Sequence, residues 1–434
     1  MKYAKLFAVI GAGALALTAC TGGGTASQDT KSAAPDKTSS ESTKLSGEIS
    51  FQTWSLKNDR FTPYFEKLIA DFQNEHPGTT IKWMDQPGEG YEDKVLQQAN
   101  ADELPDVVNL PPGYAAQLAK AGMVENLETV NKDVLKEYVP GGISAYQFPG
   151  VEGTYGYPWY LGTDMNWFNT ELLEKAGVSK DQLPKTMDEL FETADKVAKA
   201  TNGEVKMISN LPDADAFANA GVKFQKDDGT YDFNTPEGVK LVQRWKDAYA
   251  NGSMTPEALN ADWTGNAMLY KQGRTAWTTA SAGFASELEK EAPSLLGVSV
   301  ATPRIGNPPL FVQGISVSAH SKNPELARAF AQYVTNNHNQ VEFVKIAQGF
   351  FPGTQEGNSN PDTFTSVIKN DLQKTATTTA AEAMKTAAPT TGVDFTEDMG
   401  KYTKQQVALA VRGDVPIEDA LQKISDYANQ NAVK

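Results

Sequence analysis

The stretch EISFQTW, residues 48–54, alternates apolar and polar side chains, a pattern typical of a half-buried strand. The stretch FTPYFEKLIADF, residues 61–72, follows it and repeats apolar residues at intervals of three and four, which predicts an amphipathic helix. The alternation continues with a strand, a helix and a strand at 80–84, 91–100 and 104–110. This β-α-β-α-β order predicts an α/β fold with a mostly parallel sheet flanked by helices.

Aromatic and polar residues stand where the strands of this predicted sheet end. Trp54 ends the first strand, and Asn109 lies at the end of the third. Ligands on such sheets bind beyond the carboxyl ends of the strands. We therefore expect the segments 54–58, 85–91 and 109–114 to border a binding site.

A second α/β unit is predicted beyond residue 157. Its strand and helix patterns lie at 171–176, 187–200, 205–209, 235–250, 263–272, 274–278 and 297–302. The 434 residues of the chain are enough for two or three domains, each with its own core.

The first twenty residues have the features of a secretory signal. Lys2 and Lys5 precede the apolar stretch 6–17, which is too short to span a bilayer. The ending Leu-Thr-Ala-Cys resembles the bacterial lipobox, so we expect cleavage of residues 1–19 and acylation of Cys20. An ordinary signal peptide with an incidental cysteine is the alternative. Residues 20–46 are then expected to be a flexible linker, because 21–44 hold no aliphatic side chain larger than alanine.

Composition excludes several classes of function. The formal net charge of −15 argues against a nucleic-acid partner, which usually requires a basic surface. One cysteine and three histidines exclude an internal disulfide and a cysteine-based zinc site, and the sequence indicates no metal-ligating residues. The chain contains neither a nucleotide-binding glycine motif nor a hydrolase nucleophile elbow. Two carboxylates suited to glycoside hydrolysis remain an open alternative.

Several segments, taken in order, carry a family resemblance. They are FEKLIADFQNEHPGTTIKW (65–83), LPDVVNL (104–110), YGYPWYLGTDMNWFNTELLEKAGV (155–178), PKTMDELFETADKV (184–197), LYKQGRTAW (269–277), SKNPELARAFAQYVT (321–335) and LAVRGDVPIEDAL (409–421). The chain from Gly47 to Asn431 thus resembles the extracellular solute-binding proteins of bacterial carbohydrate ABC importers, family 1, which includes maltose-binding protein.

This resemblance implies a two-lobed, periplasmic-binding-protein-like fold with a solute in the cleft between the lobes. Each lobe is expected to be discontinuous, with 47–160 plus 316–360 in the first and 161–315 plus 361–434 in the second. The chain would cross the hinge near 157–169, near 311–318 and again after 349–352.

A cleft for sugar needs flat aromatic rings and short polar side chains. We expect Trp54 at the strand end to supply a ring. Trp159 and Tyr160 lie at the first crossing, where a solvent-facing ring without a ligand would be unfavourable, so at least one is expected in the cleft. In the family that this chain resembles, the position that corresponds to Trp263 holds an aromatic residue of the binding pocket.

Four further residues are the polar and backbone candidates. Asn109 ends the third strand, and Asp164 lies on the crossing strand beside the expected cleft. Gln313 and Gly314 lie at the second crossing, where a glycine allows close approach of a ligand or rotation of the hinge. A purely structural hydrogen bond is the alternative for Asn109 and for Asp164, and an ordinary strand glycine is the alternative for Gly314.

The sequence therefore predicts a lipid-anchored, non-enzymatic receptor without a cofactor. It would bind a carbohydrate at the extracellular face of the cytoplasmic membrane and deliver it to the transmembrane permease subunits of an ABC importer, acting as a monomer. A receptor for a polyol or a glycerol phosphoester is the first alternative. A phosphoester would call for cations, and the expected loops offer mainly Lys57, Asn58 and Arg60. A secreted glycoside hydrolase is the second alternative.

Overall fold

The computed structural model describes residues 44–226, 228–260, 263–389 and 391–432. Its strands are β1 (Gly47–Trp54), β2 (Thr79–Gln86), β3 (Val107–Leu110), β4 (Tyr157–Gly162), β5 (Asp164–Asn169), β6 (Trp277–Ser281), β7 (Ser299–Pro303), β8 (Phe311–Val317) and β9 (Phe351–Pro352). They form a six-stranded sheet in the order β2-β1-β3-β8-β4-β9 and a three-stranded sheet in the order β6-β5-β7.

Helices cover both sheets. They are α1 (Thr62–Glu75), α2 (Tyr91–Asn100), α3 (Pro112–Lys120), α4 (Leu127–Asn131), α5 (Pro140–Ser144), α6 (Thr170–Glu174), α7 (Met187–Ala200), α8 (Ala214–Asn219), α9 (Pro236–Ala250), α10 (Trp263–Lys271), α11 (Phe284–Glu291), α12 (Pro324–Thr335), α13 (Asn337–Ile346), α14 (Gln355–Ser359), α15 (Asp362–Thr365), α16 (Asp371–Ala383), α17 (Glu397–Arg412) and α18 (Ile417–Asn431). The α/β class predicted from the sequence is confirmed.

Only part of the larger sheet is parallel, although a mostly parallel sheet was expected. Strands β2, β1 and β3 are parallel, as the β-α-β-α-β pattern predicts. Strands β8, β4 and β9 join antiparallel, with Asn109 of β3 opposite Ile315 of β8. The smaller sheet is antiparallel throughout. The difference arises because β8 enters the larger sheet from β7 of the smaller sheet, and not through a β-α-β connection from β3.

The chain passes between the two sheets at three places. Thr163 alone separates β4 from β5, residues 304–310 connect β7 to β8, and residues 366–370 connect α15 to α16. We call the six-stranded part the first lobe and the three-stranded part the second lobe. Residues 161–162 and 311–315, assigned to the second lobe from the sequence, lie in strands of the first. Helix α15, within the expected second-lobe segment 361–434, packs against α13 of the first lobe. The expected boundary fell inside continuous strands, where composition changes little.

The two lobes meet in a tightly packed hinge. A Cβ atom added to Gly349, whose φ is +98°, would lie 2.1 Å from the backbone nitrogen of Gly283. Beside this contact the Ser286 hydroxyl donates to Oε1 of Gln348 across 3.0 Å. Glycine is required at position 349 both by the positive φ and by the approach of the two backbones.

Candidate functional site

Three aromatic rings meet at the carboxyl edge of the parallel strands. The Trp54 ring lies 5.0 Å from the Tyr91 ring and 5.9 Å from the Tyr114 ring, centroid to centroid. Tyr91 and Tyr114 belong to the first turns of α2 and α3, the helices that follow β2 and β3. Trp54 and Tyr114 are half-buried, whereas Tyr91 is buried. We call these residues the lobe-1 aromatic cluster.

The lobe-1 aromatic cluster lies at the boundary with the second lobe. The Tyr114 hydroxyl donates to Oε2 of Glu397, at the start of α17, across 3.0 Å. On the same helix α3, the Lys120 ammonium lies 2.8 Å from Oδ1 of Asp394. The pKa of Glu397 is lowered by hydrogen bonds from Lys401 and Tyr114, which stabilise its ionised form. The cluster therefore faces the other lobe, as a cleft residue must.

A buried amide lies behind this cluster. The Asn109 Nδ2 group donates to Oε1 of Gln313 across 3.1 Å and to the carbonyl oxygen of Gly314 across 3.0 Å. The Tyr91 hydroxyl donates to the Asn109 carbonyl oxygen across 2.9 Å. Asn109 is fully buried, and its Oδ1 has no partner among the described residues. The structure thus brings Trp54, Asn109 and Gln313 into one region, with Tyr91 between them.

The structure corrects the prediction that Trp159 offers an open surface to a ligand. Trp159 is fully buried, and its ring lies 4.7 Å from the Phe343 ring and 5.9 Å from the Phe65 ring. Every residue of β4 is buried, because helices of the first lobe cover the strand. Tyr160 is 9% exposed and packs against Phe343 and Phe350. Both rings belong to the core of the first lobe.

Packing in the first lobe explains why position 314 is a glycine, and no ligand is needed to account for it. A Cβ atom at this position would lie 2.3 Å from the Tyr146 hydroxyl oxygen. That hydroxyl donates to the carbonyl oxygen of Leu110 across 2.6 Å, so it fills the space beside the strand. The glycine accommodates a buried tyrosine, which corrects the expectation that it admits a ligand.

Two predicted positions lie outside the described side chains. Trp263 begins α10, but its side chain is not among those that the structure describes. Cys20 precedes the described residues. Their expected roles stay predictions.

Asp164 belongs to a charged cluster at the hinge end of the second sheet. Burial raises the pKa of its carboxyl to about 6, and repulsion by Asp213 and Asp215 adds to the rise, whereas Arg304 opposes it. The Arg304 guanidinium lies 3.3 Å from Oδ2 of Asp215, and both side chains are nearly buried. Asp164 and Arg304 adjoin two of the crossings, so this cluster connects hinge segments.

We expect Asp164→Asn to stabilise the protein at pH 8 by about 1 to 3 kcal/mol. The pKa of Asp164 is higher in the folded chain than its ordinary value of 3.8, so the folded state binds this proton more tightly. Ionisation therefore destabilises the fold as the pH rises from about 4 to about 6, and the full cost is present above pH 6. Urea unfolding of both proteins at pH 4 and pH 8 measures the effect.

The gain in unfolding free energy should become small near pH 4, where Asp164 is protonated in the folded state and only about half ionised in the unfolded state. Asp213→Asn is the matched control, because asparagine can still accept the hydrogen bond from the Ala216 amide that caps α8. This variant should lower the pKa of Asp164 by removing a neighbouring charge. A gain of equal size at both pH values in Asp164→Asn would contradict the assignment.

Within the described ranges, no group of three histidine, cysteine or carboxylate side chains is arranged to hold a metal ion. The same residues include no helix long and apolar enough to cross a membrane.

Sequence reasoning missed Tyr91, Tyr114 and Glu397. Tyr91 and Tyr114 lay in segments expected at the binding edge, but both begin helices whose apolar spacing also suits a core. Glu397 starts a helix nearly 300 residues later, and nothing in its local sequence connects it with Tyr114. The Tyr114 hydroxyl donates its hydrogen bond to Glu397 across a separation of 283 residues.

Comparison with known proteins identifies the family. The family described as bacterial extracellular solute-binding protein matches residues 58–341, well over half of the chain. The chain belongs to this family. Extracellular solute-binding proteins bind their substrates without transforming them, so the protein is not an enzyme, and the glycoside hydrolase alternative is not supported.

Individual relatives of this solute-binding family agree over most of the chain. The maltodextrin-binding protein MdxE of Bacillus subtilis is 24% identical over 395 residues, covering 87% of this chain and 90% of the relative. The galactooligosaccharide-binding protein of Bacillus subtilis is 25% identical over 293 residues, covering 62% and 65%. The GacH receptor of Streptomyces glaucescens, crystallised with and without acarbose, has a TM-score of 0.72 at 20% identity, covering 90% and 100%. The two-lobed fold is therefore confirmed.

Proposed function

We propose that this solute-binding protein is the lipid-anchored receptor of an ABC importer and captures an oligosaccharide between its lobes. The observation that carries the proposal is the lobe-1 aromatic cluster, which holds a half-buried tryptophan at the carboxyl edge of the parallel strands and contacts the second lobe through Tyr114 and Glu397. Relatives that bind maltodextrin and galactooligosaccharide support the choice of ligand class.

The chemistry of this surface suits a sugar ring. The apolar C–H face of a pyranose can stack on the Trp54 ring, while hydroxyl groups at its rim bond to polar neighbours. Gln313 is partly exposed beside the cluster, and its amide nitrogen has no protein partner among the described residues. Tyr114 adds a phenol on the same lobe, and Glu397 of the second lobe places a carboxylate opposite it. Stacking and hydrogen bonding are thus available from both lobes.

Binding is expected to favour a closed arrangement of the lobes. A ligand shifts such an equilibrium only by its difference in affinity for the two states. A sugar held by Trp54 and by residues of the second lobe binds the closed state more tightly, because it makes both sets of contacts only when the lobes are close. The three hinge crossings permit rotation while each sheet stays intact.

The charge distribution favours a neutral sugar over a phosphoester. The Arg60 guanidinium donates from Nε to the carbonyl oxygen of Ile346 across 3.2 Å. The Lys57 ammonium lies over the Trp83 ring, 4.9 Å from its centroid. Both cations that the sequence offered in these loops are therefore engaged within the first lobe, and a phosphate group would have to compete for them.

Solution scattering with and without an oligosaccharide tests the receptor function. Maltodextrins and galactooligosaccharides are the first ligands to examine. Addition of a bound sugar should reduce the radius of gyration, and mass spectrometry should recover the sugar unchanged with one molecule bound per chain. An unchanged radius of gyration at saturation would overturn the closure mechanism.

We expect Cys20→Ala to release the protein from the membrane without changing its affinity for sugar. Two or more acyl chains give stable anchoring, whereas the acidic chain has little attraction for anionic lipids. Membrane fractionation followed by immunoblotting measures the release. Ser39→Ala, within the linker, serves as a matched control and should stay with the membrane. Equal retention of the two variants would contradict lipid attachment at Cys20.

A further inference from the structure

Two glutamines occupy core positions of the first lobe. Gln52 lies within β1 and is fully buried, and Gln98 lies in the last turn of α2 and is also buried. Gln52 shares its face of β1 with Trp54, because side chains two positions apart point to the same side of a strand. Gln98 shares its face of α2 with Tyr91, which lies two helical turns earlier. We call Gln52 and Gln98 the glutamine pair.

The glutamine pair forms two reciprocal hydrogen bonds. Nε2 of Gln52 donates to Oε1 of Gln98 across 3.0 Å, and Nε2 of Gln98 donates to Oε1 of Gln52 across 3.0 Å. Turning over either amide would bring two donors and two acceptors together, so the two bonds fix both amides in one orientation. Because a primary amide has two N–H groups, Gln52 keeps one N–H group for a further acceptor.

The remaining N–H group of Gln52 is directed at Tyr91. Nε2 of Gln52 donates to the Tyr91 hydroxyl oxygen across 3.4 Å. The same hydroxyl donates to the carbonyl oxygen of Asn109, in β3, across 2.9 Å. Burial raises the pKa of the Tyr91 phenol, so this group keeps its proton and remains a donor. The Tyr91 hydroxyl is thus held on one side by the glutamine pair and on the other by β3.

The Tyr91 ring in turn contacts Trp54. The two ring centroids lie 5.0 Å apart, and the ring planes are inclined at 49°. Tyr91 is buried whereas Trp54 is half-buried, so Tyr91 supports the inner side of the indole and leaves its outer side accessible. A displacement of the Tyr91 ring would therefore change the tilt of Trp54.

Packing of the core does not require the two amides. Replacing both members of a buried hydrogen-bonded pair by apolar side chains of the same shape is often neutral or stabilising. Methionine is unbranched, adapts to irregular spaces and is close to glutamine in length, so it could fill both positions. Departures from an apolar core are expected mainly at functional sites. The presence of the glutamine pair is therefore better explained by a role in binding than by a role in stability.

We propose that Gln52 and Gln98 are positioning residues, which hold Tyr91 and thereby fix the tilt of the Trp54 ring for stacking on a sugar. For the identity of its ligand the proposal rests on the proposed function. The orientation of Trp54 in the unliganded protein does not depend on that function. A ring that is held in place loses less freedom when the ligand binds, which increases affinity.

The main test replaces both glutamines by methionine, Gln52→Met together with Gln98→Met, in the full chain. ¹⁹F NMR of protein labelled with 5-fluorotryptophan reports the surroundings of each indole, and Trp54→Phe identifies the Trp54 resonance. We expect this resonance to shift or broaden in the double methionine variant, while the midpoint of urea unfolding stays the same or rises. Calorimetry with maltotriose and galactotriose should show a three- to tenfold weaker affinity, about the effect of one hydrogen bond.

Two further variants locate the effect. Gln340→Met is the matched control, because this fully buried glutamine of α13 donates to the carbonyl oxygens of Pro158 and Thr335. It should lower stability without changing the Trp54 resonance or the affinity. Tyr91→Phe removes the hydroxyl that connects the pair with the ring, so it should change both readouts in the same direction. Adding the two methionines to Tyr91→Phe should then have little further effect.

The results separate this proposal from the receptor function. An unchanged Trp54 resonance in the double methionine variant, or an equal change in Gln340→Met, would overturn the positioning role. A changed resonance with unchanged affinity would overturn it as well. If the double variant fails to fold, Tyr91→Phe decides by the same two readouts. If neither sugar binds the unmodified protein but the Trp54 resonance depends on the glutamine pair, the receptor proposal fails for these sugars and the pair keeps its role in orienting Trp54.

Discussion

Trp159→Ala is expected to lower the free energy of unfolding by about 3 to 5 kcal/mol. The ring is fully buried among Phe65, Tyr160 and Phe343, so its removal leaves a large cavity inside the first lobe. The indole nitrogen has no hydrogen-bond partner among the described residues. The measured change in unfolding free energy therefore reports the loss of packing and not the loss of a hydrogen bond. Urea unfolding followed by circular dichroism measures the change.

Trp159→Phe is the matched control, because it preserves an aromatic ring of smaller volume and should cost clearly less. Affinity for sugar should stay close to that of the unmodified protein in both variants under conditions where each is folded. A variant Trp159→Ala with full stability and lost affinity would restore the original expectation that this ring belongs to the cleft.

Trp54→Ala is expected to weaken oligosaccharide binding by about tenfold or more. The half-buried ring lies against Tyr91 and Tyr114 at the boundary of the lobes, where it can stack on a sugar. Its loss removes the apolar contact and the additional aromatic term of about 0.5 to 1.5 kcal/mol. Titration calorimetry with a bound maltodextrin or galactooligosaccharide measures the change in Kd.

Trp83→Ala provides the comparison for Trp54. Trp83 is also half-buried and lies on the neighbouring strand β2, but its ring packs against Phe65 at 4.9 Å and its indole nitrogen donates to Thr53 Oγ1 across 2.9 Å. We expect this control to lower stability with little effect on Kd. Equal loss of affinity in the two variants, or none in Trp54→Ala, would place the sugar elsewhere.

Local sequence predicted the first strands and helices well, because their apolar periodicity reports directly on which face is buried. Trp54 could be assigned to the edge of the sheet since it ends β1, and the structure places it there. Trp159 could not be assigned correctly from its position in sequence. Its burial depends on Phe343 of α13, a contact that only the folded first lobe creates.

Periodicity alone could not predict the arrangement of the lobes. Nothing within the alternating pattern of β8 shows that it pairs with β3 and β4 instead of the nearer β7. The resemblance to solute-binding proteins supplied the discontinuous lobes, but not the exact residues at which strands end. Glu397, the partner of Tyr114 across the cleft, could likewise not be predicted, because an acidic residue at the start of a helix has many ordinary roles.

The pairing of β3 with β8 has a consequence for the order in which the chain folds. Asn109 donates to the carbonyl oxygen of Gly314 across a sequence separation of 205 residues. Until β8 has been synthesised and exported, β3 presents an unpaired edge that can pair with other chains. Closing so long a loop also slows formation of the sheet. We therefore expect the first lobe to fold late and the nascent chain to be most prone to aggregation before β8 emerges.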